Sequence, residues 1–279
     1  MLRSAKIAPT FAYAELERFW RDADELGFHG VWNYDHFYGL HVFGEPLELP
    51  TLEAWTTLSA MAKVTSRARI GCMVTGVTYR HPAVLANMAV SVDHISGGRL
   101  EFGLGAAWHE PEHVTYGIEF PSAGTRIAML DEACEIIRRL WTEDKVDHEG
   151  RFWKLNGALC QPKPVQSRIP IVIGGSGPRK TLRVVAKHAD EWNWNAFPTP
   201  SGDAFRKISG ILDKHCADLG RDPKEIRRSL QLFLRDHSEE TLTALPAQLD
   251  ALEEAGLEHV VLSFYTMPTR QVLERVAPH

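Results

Sequence analysis

Residues 69–112 read RIGCMVTGVTYRHPAVLANMAVSVDHISGGRLEFGLGAAWHEPE, and this stretch decides the fold. The apolar, β-branched run at residues 70–75 predicts a strand, and Pro82 suits the first turn of the helix that follows. The helical pattern ends at Ser96-Gly97-Gly98, and a second apolar run occupies residues 100–104. A strand, a helix and a strand in this order form a βαβ unit, whose two strands are parallel and buried on both faces.

Similar units extend along the whole chain. We predict eight strands, at about residues 5–8, 30–34, 70–75, 100–104, 171–173, 191–195, 226–234 and 259–264. Helices are predicted between them, at about residues 14–26, 51–61, 82–95, 127–141, 178–188, 203–219 and 245–255. Eight strands that alternate with helices predict an α/β fold of the TIM (β/α)8 barrel type, and a doubly wound open sheet is the alternative.

Four local expectations accompany this pattern. Thr51 is expected to cap the second helix, Pro178 to begin the fifth, and residues 109–124 to form a loop. Residues 144–168 interrupt the alternation after the fourth helix, and a short hairpin is predicted at residues 148–153. The expected organisation is a single domain over residues 1–279 with an insertion after the fourth helix.

Composition narrows the classes of function. The chain has 279 residues, 44% of them hydrophobic, and its 31 basic and 36 acidic residues give a net charge of −5. There is no basic stripe, so nucleic acid is not expected as a partner. No apolar run reaches the roughly 18 residues of a membrane span, and the first residues lack a signal-peptide core, so a cytoplasmic location without a membrane partner is expected. The four cysteines lie far apart, which favours reduced thiols over a CxxC metal site.

Two groups of residues at predicted strand ends could carry chemistry, because ligands bind at the carboxyl ends of the strands in such folds. Asp35 and His36 follow the second strand, and an imidazole there could exchange a proton near neutral pH. Gly174-Gly175-Ser176-Gly177 joins a strand to a helix. Its backbone N–H groups could hold the phosphate of a cofactor, or the glycines could simply form a tight turn.

The segment after the fourth strand offers two further candidates. His109-Glu110-Pro111-Glu112-His113 matches the H-E-x-x-H zinc motif. Pro111 is tolerated only in the first turn of a helix, which leaves His109 outside as a cap. The two imidazoles are therefore not expected to share an ion, and no metal site is predicted. Trp108 follows a Gly-Ala-Ala turn and is expected to be exposed in the mouth of the barrel, where it either fills space or stacks on a ring.

Seven segments between residues 25 and 195 together resemble the luciferase-like monooxygenase superfamily, and in particular its branch of oxidoreductases that depend on the deazaflavin coenzyme F420. They are residues 25–37, 75–82, 96–100, 103–108, 157–164, 174–177 and 189–193. Beyond Asn195 the resemblance weakens, and the segment between the last two strands is shorter than is usual in the family.

The resemblance implies a luciferase-like TIM barrel that binds a flavin-type ring at the carboxyl ends of its strands. It implies that Asp35 and His36 contact the ring, that a non-proline cis peptide bond near Thr75-Gly76 forms a bulge behind it, and that residues 174–177 face the phosphate. Because homodimers are common in the family, a homodimer is expected. The cofactor-binding residues implied are Asp35, His36, Thr75, Gly76, Ala106, Ala107, Trp108, Gly174, Gly175, Ser176 and Gly177.

The chain departs from the family pattern at two positions. Relatives that reduce sugar phosphates carry a glutamate where this chain has Trp108, so that acid is missing and such a substrate is not expected. Ala107 stands where glycine is usual, and its methyl group could crowd whatever approaches the ring.

The function that the resemblance implies is hydride transfer between F420 and an unidentified small organic substrate, with His36 as the catalytic residue. Within the family the alternative is an FMN-dependent monooxygenase. From other classes the alternatives are a metal-dependent barrel hydrolase that uses Asp35, His36, His109 and His113, and a flavin-binding protein without turnover. The loops at residues 38–50 and 109–124 are expected to determine the substrate, which the sequence does not indicate.

Overall fold

A closed barrel of parallel strands forms the centre of the structure, a computed structural model that describes residues 1–40, 44, 46, 48–195 and 201–278. The strands are β1 (Leu2–Ile7), β2 (Gly30–Asn33), β3 (Arg69–Cys72), β4 (Thr75–Gly76), β5 (Leu100–Gly105), β6 (Val146–Glu149), β7 (Lys154–Ala158), β8 (Ile171–Gly174), β9 (Glu191–Asn195), β10 (Arg227–Leu234) and β11 (His259–Phe264). The barrel order is β1, β2, β3, β5, β8, β9, β10 and β11, and β11 pairs in parallel with β1 to close the ring. The predicted TIM barrel is confirmed, and the open sheet is wrong.

Helices surround the barrel and bury their apolar faces against it. In the first helix Leu16, Phe19 and Ala23 recur at helical spacing and are buried, and Gly27, with a φ of 80°, follows its end. In the described part of the chain, no helix combines the length and the apolarity needed to cross a membrane. The helices are α1 (Tyr13–Glu25), α2 (Ala54–Val64), α3 (Pro82–Ser96), α4 (Glu110–Tyr116), α5 (Ala123–Thr142), α6 (Thr181–His188), α7 (Gly202–Asp218), α8 (Glu239–Glu254) and α9 (Arg270–Val276).

The predicted insertion is confirmed as an antiparallel hairpin of β6 and β7. It follows α5, which is the fourth helix of the sequence-based count because α4 was not predicted. Glu132 on α5 ties the hairpin to the barrel, since its carboxylate accepts the backbone N–H groups of Phe152 at 3.1 Å and Trp153 at 2.9 Å.

Two expected helix starts are wrong, and side-chain hydrogen bonds explain the first. Helix α2 is capped by Glu53, whose carboxylate accepts the N–H groups of Trp55 at 3.1 Å and Thr56 at 2.6 Å, whereas the Thr51 hydroxyl donates to the carbonyl of Leu49. Helix α6 begins at Thr181, because residues 178–180 form a turn before it.

Other boundaries also differ from the prediction. Helix α4 occupies part of the expected loop at residues 109–124, β1 starts at Leu2, α8 starts at Glu239 and contains Pro246, and α9 was not predicted. Residues 41–43, 45 and 47 of the long loop after β2 lie outside the described residues, as do residues 196–200 and 279.

The interior of the barrel is polar at its amino-terminal end, below the site. His259 Nδ1 lies 2.9 Å from Glu191 Oε1 and its Nε2 lies 2.7 Å from Ser4 Oγ, while Arg227 donates to Glu191 Oε2 at 3.0 Å. Ser4, Glu191 and His259 are at most 2% exposed. This cluster needs no catalytic role, because residues at this end of a TIM barrel ordinarily contribute to stability.

Candidate active site

A cavity of about 400 Å³ opens at the carboxyl ends of the barrel strands. Its wall contains eight of the predicted site residues: Asp35, His36, Gly76, Ala106, Ala107, Trp108, Gly174 and Gly175. The other three lie outside the wall. The Thr75 hydroxyl is buried behind it and accepts a hydrogen bond from Trp55 Nε1 at 2.8 Å, and Ser176 and Gly177 lie in the turn that leads to α6.

Asp35 is held in an ion pair inside the protein. Its Oδ2 accepts from Arg80 Nη1 at 2.5 Å and its Oδ1 from Arg80 Nη2 at 3.1 Å, and Arg80 also donates to Glu53 at 2.5 Å. Bidentate pairs of this kind have a fixed geometry as well as a favourable energy. The charge of Asp35 is therefore matched by Arg80, and its main effect is to fix the chain that carries His36.

His36 is the imidazole that borders the cavity, and Glu112 determines its orientation. Nδ1 of His36 lies 2.9 Å from Glu112 Oε2. The ring packs edge-on against Trp108, with 5.5 Å between the centroids, and Trp108 is 47% exposed at the mouth of the barrel. Because Nδ1 faces a carboxylate, we assign the proton to Nδ1, so that Nε2 is the basic nitrogen.

Glu112 is fully buried on α4 and receives hydrogen bonds at both oxygens. Oε2 accepts from the Tyr79 hydroxyl at 2.6 Å as well as from His36, and Oε1 accepts from the backbone N–H groups of Phe37 at 2.6 Å and Tyr38 at 3.3 Å. The carboxylate thus holds both the ring of His36 and the backbone that follows it. Sequence reasoning missed Glu112 and Tyr79 as members of the site.

The environment of Glu112 keeps it ionised. Burial alone would raise the pKa of this carboxyl, but the hydrogen bonds from His36 and Tyr79 and the nearby imidazole outweigh burial and lower the pKa to about 2. Burial and the same carboxylate raise the pKa of the Tyr79 hydroxyl, which therefore stays protonated as a donor. Near neutral pH Glu112 is therefore an ionised acceptor.

The H-E-x-x-H stretch does not bring its two histidines to one ion. His109 is the N-cap of α4, as Pro111 predicts, and His113 bonds instead to the Thr78 hydroxyl at 2.7 Å. Among the described residues one group has donor atoms close enough for a metal ion: His36, His109 and Glu112, within 4.8 Å of one another. Two members of the proposed hydrolase set, Asp35 and His113, are engaged elsewhere by Arg80 and Thr78.

The cavity wall also contains a cation that the sequence reasoning did not identify, Arg126. Gly174 and Gly175 line the cavity together with Thr181 and Arg126. Arg126, on the first turn of α5, is 9% exposed and is fixed by hydrogen bonds to the carbonyls of Ala106, at 3.0 Å, and Pro121. The wall of the cavity therefore presents a guanidinium, a hydroxyl and a glycine turn, and groups of these kinds bind anions.

A non-proline cis peptide bond is present, two residues before its expected position. It joins Met73 to Val74, between β3 and β4, and both residues line the cavity. Gly105 packs directly against Val74, since a Cβ atom at Gly105 would lie 2.7 Å from Val74 Cγ2. Gly105 therefore allows the close approach of Val74.

Ala107 is the one non-glycine residue among those described that has a positive φ, 57°. Replacing Ala107 with glycine is expected to raise the free energy of unfolding by up to about 1 kcal/mol. The left-handed conformation costs other residues about 1–2 kcal/mol, and the extra freedom of glycine in the unfolded chain offsets about half of that. Urea unfolding measures the change. The matched variant Ala106→Gly should lower stability instead, and an equal loss in both would contradict strain at Ala107.

The chain folds as a TIM barrel with an imidazole–carboxylate pair at the carboxyl ends of its strands. Comparison with known proteins identifies the family to which it belongs. The chain is a member of the luciferase-like monooxygenase family, which matches residues 2–271. An uncharacterised protein of Mycobacterium tuberculosis is 37% identical over 172 residues, which are 62% of this chain and 58% of that protein. This match therefore spans less than two thirds of the relative's length.

Two further proteins are similar over nearly the whole chain. The F420-dependent glucose-6-phosphate dehydrogenase of Amycolatopsis mediterranei is 33% identical over 282 residues, which cover 96% of this chain and 81% of that protein. The solved structure of an F420-dependent secondary alcohol dehydrogenase with an F420–acetone adduct has a TM-score of 0.83, 19% identity, and coverage of 99% of this chain and 97% of that one. Because the sequence identity is only 19%, the structural similarity shows a shared fold and nothing beyond it.

Proposed function

We propose that the protein is an oxidoreductase that transfers a hydride between coenzyme F420 and a small organic substrate. The observation that carries the proposal is the His36–Glu112 pair at the wall of the cavity, with Nδ1 of His36 2.9 Å from the carboxylate. Family membership and the F420-dependent relatives that align with nearly the whole chain support the choice of cofactor.

The residues of the cavity fit a flat ring with an anionic tail. One wall is built from small residues, Gly76, Gly105, Ala106 and Ala107, which leave a shallow surface next to Val74. Arg126, Thr181 and the glycine turn also line the cavity and suit a phosphate. Small residues and a cation on the wall of one cavity are what a deazaflavin with a phosphorylated side chain requires.

The chemistry is divided between cofactor and protein. A bound deazaflavin supplies a hydride carrier, because it has carbon where a flavin has its reactive nitrogen, and it activates oxygen poorly. Nε2 of His36 accepts the hydroxyl proton when an alcohol is oxidised and returns it when a carbonyl is reduced. Glu112 keeps the ring oriented and stabilises the imidazolium that forms, and Trp108 covers the reacting region from the mouth.

Trp108 also limits the substrate. Its indole is 47% exposed and carries no acidic group where relatives acting on sugar phosphates have a glutamate. A neutral aromatic surface beside His36 favours a substrate with an apolar part over a sugar phosphate. We therefore do not propose that this protein shares the glucose-6-phosphate dehydrogenase activity of the Amycolatopsis relative.

Replacing His36 with alanine tests the proposed role. We expect kcat/KM for F420-linked oxidation of alcohols, and for reduction of the matching ketones by the reduced cofactor, to fall by about 10²–10⁴-fold, the usual contribution of general acid–base catalysis. The dissociation constant of F420 should change by less than about threefold, because the base acts mainly in the transition state. His94→Ala, on the exposed face of α3, is the control and should retain full activity. Unchanged turnover in His36→Ala would remove His36 from the mechanism.

An FMN-dependent monooxygenase is the alternative within the family, and the same wall of small residues would accept its ring. The metal-dependent hydrolase requires a donor set that includes Asp35 and His113, and the contacts of these residues with Arg80 and Thr78 argue against it. A homodimer in the cytoplasm remains a prediction, as does the single-domain organisation.

A further inference from the structure

A serine hydroxyl on the cavity wall has no part in the reaction described above. Ser263 is on β11, is 6% exposed and contributes to the wall. Side chains alternate along a strand, so Ser263 points to the same side as Val261. Val261 packs in one cluster with Trp32 and Val172, on β2 and β8, and side chains of these separate strands can meet only inside the barrel. Ser263 therefore also points into the barrel, where ligands bind.

The Ser263 hydroxyl makes no hydrogen bond with any residue that the structure describes. Nearby polar groups differ in this respect. Gln231 uses both ends of its amide, since Oε1 accepts from Lys6 Nζ at 2.5 Å and Nε2 donates to Asn193 Oδ1 at 3.1 Å. A ligand that fills the cavity displaces the water that could otherwise bond to the Ser263 hydroxyl. Because a buried hydroxyl without a partner is unfavourable, a ligand in contact with Ser263 must supply that partner.

The strand that carries Ser263 lies opposite the wall of small residues. In the ring order β1, β2, β3, β5, β8, β9, β10, β11, strand β11 is four places from β5 in either direction. Strand β5 and the residues after it supply Gly105, Ala106 and Ala107, which suit a flat ring. A ring against that wall has one face covered, so a hydride can reach or leave only the other face, which is turned toward β11. The substrate must therefore lie on the side of Ser263.

Aromatic side chains surround Ser263 on the wall. Phe264 and Tyr265 follow it in the chain, Phe233 pairs with it on β10, and all three contribute to the wall. The rings of Phe233 and Tyr265 are in contact, with 5.8 Å between their centroids. Such a surface, with one neutral hydroxyl in it, favours a molecule that is largely apolar and has an oxygen atom at one defined place.

We propose that the Ser263 hydroxyl donates a hydrogen bond to an oxygen of the substrate other than the one that reacts. The proposal rests on the proposed hydride-transfer function and names its substrate class: an uncharged alcohol or ketone with a second oxygen, in an ether or a carbonyl group. His36 exchanges the proton of the reacting oxygen, and Ser263 binds the second oxygen. Ser263 thus determines specificity, because a molecule without that oxygen leaves the buried hydroxyl unpaired.

The test measures, by calorimetry, the binding of three ketones of nearly equal shape to the protein saturated with oxidised F420, which cannot reduce them. Tetrahydropyran-3-one and tetrahydropyran-4-one have a ring oxygen where cyclohexanone has a CH2 group. We expect Ser263→Ala to weaken the binding of at least one of these two by about fivefold relative to cyclohexanone, the effect of one neutral hydrogen bond. Ser263→Thr keeps a hydroxyl and should keep the preference. Ser91→Ala, at an exposed position of α3, is the control and should behave as the original protein does.

The measured quantity is a ratio of two affinities in one variant, so a partial loss of folded protein cancels. The same ratio in the original protein and in Ser263→Ala would overturn the proposal, and so would failure of all three ketones to bind. A loss of F420 affinity in Ser263→Ala as large as the change in the ratio would also overturn it, because the hydroxyl would then serve the cofactor. The titrations are repeated without cofactor. Failure of F420 to bind, while the ratio still changes in Ser263→Ala, would count against the cofactor assignment alone.

Discussion

Replacing Glu112 with glutamine is expected to reduce turnover by about 10³-fold, within the range usual for loss of proton-transfer chemistry. Glutamine keeps the shape of the side chain but offers one acceptor and one donor group. Four donors converge on the carboxylate: His36 Nδ1, the Tyr79 hydroxyl and the N–H groups of Phe37 and Tyr38. In the glutamine variant the side-chain NH2 group would face at least one of these donors. The His36 ring is therefore released or its tautomer changes.

Two measurements separate this positioning role from a general loss of structure. Glu110→Gln is the same substitution two residues earlier, at an exposed position of α4, and should leave kcat unchanged. The double variant His36→Ala, Glu112→Gln should be no slower than His36→Ala, because the carboxylate acts through the imidazole. A kcat within threefold of the original in Glu112→Gln would contradict the role of this carboxylate.

Replacing Glu191 with glutamine is expected to lower the free energy of unfolding by about 3 kcal/mol, a typical cost of leaving one partner of a buried ion pair without the other. Glu191 lies 2.9 Å from His259 and 3.0 Å from Arg227, at the amino-terminal end of the barrel. His259 is fully buried and cannot recover its interaction from water, whereas Arg227 is partly exposed. Urea unfolding at pH 7 measures the loss. The control Glu149→Gln, in an exposed pair with Lys154, should show no measurable change.

The stabilisation by Glu191 should also depend on pH in a defined direction. Burial alone would raise the pKa of this carboxyl, but the adjacent His259, Arg227 and the Ser229 hydroxyl lower it below its ordinary value. A lowered pKa means that the stabilisation is complete above the unfolded-state pKa, about 4.3, and is lost as the pH falls below it. The difference between the original protein and Glu191→Gln should therefore shrink below about pH 4. A difference that grows on acidification would contradict the ion pair.

The sequence was sufficient for the architecture because buried parallel strands and amphipathic helices have distinct patterns. The apolar segments at residues 70–75 and 100–104, predicted as strands, correspond to β3, β4 and β5 in the structure. Helix starts were harder to predict, since they depend on single hydrogen bonds. Thr51 and Glu53 are both capable caps, and only the folded chain shows that Glu53 bonds to Trp55 and Thr56.

For the site, the sequence indicated residues at strand ends and missed their distant partners. Asp35 and His36 were found because they follow β2, whereas Glu112 is 76 residues beyond His36 and belongs to α4, which was assigned to a loop. The H-E-x-x-H match directed attention to His109 and His113, although the residue of this stretch that contacts His36 is Glu112.

The most direct test of the central claim is a titration of the purified protein with F420 and, separately, with FMN, followed by quenching of tryptophan fluorescence. Trp108 at the mouth of the cavity, 47% exposed, makes quenching a local signal, and Trp108→Phe should remove most of it. The account predicts saturable binding of F420 with a dissociation constant well below that of FMN. Tighter binding of FMN would contradict it and favour the monooxygenase alternative, and binding of neither would contradict the assignment of the cavity to a flavin-type cofactor.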